Sequence, residues 1–204
     1  MRFAITVSTT LLCCLTTGYA ADEHNAFAVR GAGQVTCEIF LQEIDKKSNA
    51  VYAIGGWLDG YVTGVNRFEP DTYDALSFET TDLVANLLDN HCKQHPSDRL
   101  VAVVNALLTR LHDDRIRLRS PQLSVKAGEL HTAIYAEVLQ RVQRKLTELG
   151  FYAGDPEPEF GDKTRAALTS FQSKNNLKPT GLPDPVTLWR LLRPAQNGEQ
   201  SSGK

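Results

Sequence analysis

Residues 134–150 read IYAEVLQRVQRKLTELG, 151–161 FYAGDPEPEFG, 162–179 DKTRAALTSFQSKNNLKP and 180–192 TGLPDPVTLWRLL. In the first string Ile134, Val138, Val142, Leu146 and Leu149 recur three or four residues apart among glutamines and basic residues, the period of a half-buried helix. Gly150 stops that helix as a left-handed cap would. The second string carries Gly154, Pro156 and Pro158, so it reads as an exposed loop pinned by Tyr152 and Phe160. A second helix is expected from Asp162, whose carboxylate is placed to cap free amides, burying Ala166, Ala167, Phe171 and Leu177. Pro179-Thr180-Gly181 reads as a turn, and Asp184-Pro185 opens a third helix that buries Val186, Leu188 or Trp189, and Leu192. The expectation is a three-helix unit over 134–193, near the small end of what folds alone.

Leu139-Gln140, Leu149-Gly150-Phe151-Tyr152, Phe160-Gly161, Thr164, Ala167-Leu168, Phe171-Gln172, Thr180-Gly181, Asp184, Thr187 and Leu191-Leu192 follow one another in a pattern that resembles the peptidoglycan-binding module of bacterial cell-wall hydrolases. The chain departs from that pattern at Glu157-Pro158, where the family usually carries Asp-Gly. The resemblance implies a wall ligand and no catalysis by this unit. Glycan strands offer hydroxyls and acetamido groups, and stem peptides add carboxylates and amines, so an aromatic face with a few polar or cationic side chains is required. Tyr152, Asp155, Phe160, Lys163, Arg165 and Gln172 are the candidate peptidoglycan-binding residues, gathered on the loop and the start of the second helix.

At the other end, Met1-Arg2, the apolar run Phe3 to Leu15 and Gly18-Tyr19-Ala20 have the three regions of a secretory signal, with cleavage expected after Ala20. The run is too short to span about 30 Å of hydrocarbon as a helix, so no membrane insertion is expected after cleavage. The destination is the periplasm or the exterior. Cleavage removes Cys13 and Cys14 and leaves Cys37 and Cys92, which are expected to pair as one disulfide in an oxidising compartment. The mature chain has 21 Lys and Arg (22 less Arg2) against 24 Asp and Glu, which gives no electrostatic reason to bind nucleic acid or anionic lipid.

Between these ends, residues 34–115 read as four helices. Cys37, Phe40, Leu41 and Ile44 mark the first, and Tyr52 to Val65 the second. Thr80 or Thr81 caps the third, which Pro96 ends, and Ser97 caps a fourth carrying Leu100, Val101, Val104, Leu107, Leu108 and Leu111. Gly56, Gly60 and Gly64 form a smooth ridge on the second helix, which points to close approach of another backbone. Internal packing explains such a ridge most simply. The sharper alternative is a partner bound beside Trp57, Gly60, Tyr61 and Gly64. Cys37, Trp57 to Tyr61, Gly64, Cys92 and Pro96 diffusely resemble small secreted helical proteins that include the acid chaperone HdeA and immunity proteins against wall-degrading amidases. That resemblance implies a protein-interaction or inhibitory head, with a wall amidase as the kind of partner.

No catalytic constellation emerges. His91 and His95 have zinc-helix spacing, but Cys92 between them is claimed by the disulfide and Pro96 ends the helix. His112-Asp113-Asp114 reads as a solvated helix end, and no pair among Glu69, Asp71, Asp74, Glu157 and Glu159 has a spacing that singles it out for sugar cleavage. No metal or cofactor is expected. Residues 116–133 read as a partly ordered connection and 194–204 as a polar, disordered tail. The whole reads as all-α: a disulfide-stapled four-helix bundle followed by a three-helix peptidoglycan-binding module, secreted and non-catalytic. The competing readings are a cell-wall hydrolase or its accessory subunit, and an acid-stress chaperone tethered to the wall.

Overall fold

The structure is a computed structural model describing residues 21–22, 24, 26–157 and 159–193. Residues 1–20, read above as a secretory signal, and 194–204, read as a tail, lie outside the described residues. Among the described residues, seven α-helices and one two-stranded sheet follow in the order α1 (Cys37–Asp45), α2 (Ala50–Phe68), α3 (Thr81–Cys92), α4 (Leu100–Leu111), β1 (Gln122–Ala127), β2 (Leu130–Tyr135), α5 (Ala136–Glu148), α6 (Asp162–Lys174) and α7 (Pro185–Leu192). The protein is therefore mostly helical rather than all-α. Residues expected to form a connection instead make an antiparallel hairpin, pairing Leu123 with Ile134 and Val125 with Thr132. Gly128, at φ +60°, closes its two-residue turn, a conformation that a side chain would disfavour. Val125 and Ile134 point inward, while Ser124, Lys126 and Ala133 face solvent, the alternation of a sheet with one covered face. Ile134, read as helical, is thus a strand residue two positions before α5.

Buried side chains gather into two cores. The first contains Cys37, Phe40, Ile54, Leu58, Val84, Leu88, Cys92, Leu100 and Val104 from α1 to α4. The Cys37–Cys92 disulfide is formed and ties the start of α1 to the end of α3. Thr36 caps α1 and Thr80 caps α3 through their hydroxyls, as helix-start chemistry requires. Ser97 does not cap α4. That helix begins at Leu100, whose amide donates to Val35 O at 2.9 Å, and Arg99 pairs with Thr36 in an isolated bridge, so backbone supplies what a side chain was expected to.

The second core joins Ile116, Val125 and Ile134 to Val138, Leu139, Val142, Leu146, Leu168, Phe171, Leu188 and Leu191. Gly150, at φ +77°, ends α5, and Phe151 N returns to Leu146 O at 2.8 Å. The α6 cap is Gly161 rather than Asp162, which sits inside the first turn and makes no side-chain cap. Ala166 and Val186 are exposed, while Thr164 and Thr187 take the inward positions.

Polar contacts bridge the two cores. Arg193 pairs with the buried Glu79 at 3.1 Å and with Asp114 at 2.9 Å, and its guanidinium lies 5.0 Å from the Phe78 ring centre. Tyr135 donates its hydroxyl to Asp74 Oδ2 at 2.9 Å and meets Tyr73 edge-on. Burial first, and the Asp74 charge second, push the Tyr135 phenol up to about 12. Among the described residues, no helix is long and apolar enough to cross a membrane.

Candidate functional site

Two buried glutamines hold the loops that shape the C-terminal surface. Gln143 lies on the inward face of α5, accepts from Glu157 N at 2.7 Å and donates to Thr164 Oγ1 at 3.0 Å and Glu159 O at 3.3 Å. Those bonds fix the irregular stretch from Phe151 to Gly161 against α6. Gln172, on α6, accepts from Gly181 N at 2.7 Å and donates to Leu182 O at 2.9 Å and Thr187 Oγ1 at 3.0 Å. It therefore holds the turn between α6 and α7. Asp184 completes that turn by capping α7 at Thr187 N, 2.9 Å away.

The six candidate ligand residues fall into two groups. Tyr152 and Gln172 are buried, at 7% and 0% exposure, so they form the scaffold of the site. Asp155, Lys163 and Arg165 are exposed, and Phe160 is half-buried. Phe160 and Arg165 come together, the guanidinium 5.8 Å from the ring centre. Arg165 also approaches Asp162 at 3.6 Å and donates to Lys126 O of the hairpin at 3.3 Å. The result is an aromatic and cationic patch at the start of α6, braced by the hairpin. Sequence reading missed Gln143, although a glutamine flanked by Leu139, Val142 and Leu146 on an inward helix stripe is a visible signal for a buried polar strut.

In the first core, Trp57 and Tyr61 stack with ring centres 5.1 Å apart, and Tyr61 donates to Asn105 Oδ1 at 2.6 Å. The segment Gly31–Gln34 lies over Trp57, so closely that a methyl group on Gly33 would come within 2.3 Å of the indole. The glycine ridge is different. A methyl group on Gly56, Gly60 or Gly64 would meet nothing within 4 Å, so internal backbone packing does not account for it. The two histidines with zinc spacing have rings 4.6 Å apart, with His91 bonded to Asp98 at 2.9 Å and Cys92 held in the disulfide.

Three short helices, two loops locked from beneath and an exposed aromatic-cation patch define a small recognition module. The peptidoglycan binding domain family model matches residues 136–191, which supports a C-terminal domain of that kind, a binding rather than a catalytic one. The match supports peptidoglycan binding and a place at the cell wall. The chain matches no curated protein and no solved structure.

Proposed function

We propose that the protein is a secreted, non-catalytic peptidoglycan-binding protein whose segment 34–115 is a protein-interaction or inhibitory head carried on the wall module 134–193. The family match over 136–191 is the observation that supports the wall-binding part of this reading. Glycan packs on Phe160 beside Arg165, with Asp155 and Lys163 available to its polar groups, while Tyr152 and Gln172 hold the surface from within. The open ridge at Gly60, with Trp57, Tyr61 and Gly64 on the same helix, is where a protein such as a wall amidase docks. Incubation with purified sacculi leaves their turbidity unchanged, and a wall amidase added to the same sacculi is slowed. Turbidity loss caused by the protein alone would refute the non-catalytic role.

A hydrolase is the second reading, favoured by a cleft of about 670 Å³ lined by Glu69, Asn105, His112, Asp113 and Arg115. There His112 Nε2 is 3.4 Å from Glu69 Oε1, and Nδ1 is 3.3 Å from Arg115 Nη1. Sacculus lysis that His112→Ala abolishes would establish it.

A further inference from the structure

We propose that the groove between the β1–β2 hairpin and the α6–α7 turn binds the carboxylate end of a peptidoglycan stem peptide, an inference that rests on the wall-binding function above. The groove encloses about 450 Å³, enough for a short peptide. Leu130, Leu177, Leu182 and Val186 give it apolar walls. Leu130 and Val186 stand 47% and 58% exposed, a hydrophobic pair left open on either side of the trough.

The ionisable side chains left without partners in the groove are basic. Lys178 and His131 line it, and among the described residues neither side chain has a hydrogen-bond or ion-pair partner. The acid in the lining, Asp184, is already committed: Oδ1 accepts from Thr187 N, and Oδ2 accepts from the Thr187 hydroxyl at 2.7 Å and from Gln172. A ligand with small aliphatic side chains and a terminal carboxylate fits an apolar trough with two free basic groups. A glycan fits less well, because no Phe, Tyr or Trp lines the groove.

Arg165 links both walls of the groove to the Phe160 patch. Arg165 faces Phe160 on one side and donates to Lys126 O of β1, and its stem lies so close to the turn that a methyl group on Gly181 would come within 2.7 Å of Cγ. A strand lying over Phe160 and Arg165 thus has its peptide branch beside the trough. One wall of the groove, Leu130, His131 and Thr132, precedes the family-matched residues 136–191, and the other, from Leu177 to Thr187, lies within them.

The test is calorimetric titration of the chain from residue 21 onward with a stem pentapeptide ending in D-alanyl-D-alanine, as free acid and as C-terminal amide. The free acid binds about tenfold more tightly than the amide, the range of one charge-assisted contact. Lys178→Glu removes that preference, Lys178→Arg retains it, and Val186→Trp, at an exposed position, blocks the trough. Equal binding of acid and amide, or a preference that survives Lys178→Glu, would overturn the inference. Sacculus binding without stem-peptide binding would defeat this inference alone, whereas loss of both would defeat the wall-binding function as well.

Discussion

Gln172→Leu separates a scaffold role from a contact role at the most deeply placed candidate residue. The substitution keeps most of the side-chain volume and removes every hydrogen bond the amide makes. The Thr187 hydroxyl still has Asp184, and Thr180 Oγ1 still accepts from Leu182 N at 3.2 Å. Gly181 N–H and Leu182 C=O lose their Gln172 partners, at 2.7 and 2.9 Å. With Gln172 fully buried, water does not replace it. Two orphaned backbone groups at about 1–3 kcal/mol each give a loss of about 4 kcal/mol. With a slope of about 2 kcal/mol/M, the urea midpoint of the C-terminal unit falls by about 2 M. Trp189 fluorescence reports that unit, followed in a Trp57→Phe background so that one indole is observed. A variant with an unshifted midpoint that no longer binds sacculi would refute the reasoning and make Gln172 a ligand contact.

Breaking the disulfide with Cys37→Ser and Cys92→Ser opens a loop with a sequence separation of 55, and by the chain-entropy model lowers the stability of the first core by about 4 kcal/mol, read as a fall in urea midpoint. Arg193→Ala leaves the fully buried Glu79 side chain without its cation; the loss is about 3 kcal/mol, and Glu79→Gln in the same chain recovers much of it in a double-mutant cycle. Tyr135 has an ordinary value of 10.0 and a folded value of about 12, so the stability it contributes is complete below pH 10 and is lost as pH rises through 12. Tyr135→Phe flattens that alkaline decline, followed by tyrosinate absorbance together with thermal unfolding. Gly60→Ala enters open space in mid-helix and raises stability by about 0.8 kcal/mol in thermal unfolding.

The helices were legible because their signals are local. Val138, Val142 and Leu146 keep a 3.6-residue period, and Gly150, Thr80 and Asp184-Pro185 are punctuation with known backbone geometry. The hairpin was not, because Pro121 and Gly128 outweighed the shorter alternation of Leu123, Val125 and Ala127, whose partners on β2 are non-local. Ser97 failed as a cap for a related reason, since the amide of Leu100 is met by Val35 from far along the chain. At the site, residue type was readable but burial was not. Tyr152 and Gln172 have the chemistry of ligand contacts and lie inside, while the contact of Arg165 with Lys126 O joins residues 39 apart in sequence. The groove between hairpin and turn joins residues near 130 to residues near 180, a juxtaposition that no local pattern announces.

Co-sedimentation with purified peptidoglycan sacculi tests the central claim most directly, using the chain from residue 21 onward and a folded Lys163→Glu, Arg165→Glu variant. The chain enters the pellet in proportion to sacculi, and the variant, which still unfolds cooperatively in urea, stays in the supernatant. A folded chain that remains in the supernatant at every sacculus concentration would contradict peptidoglycan binding itself.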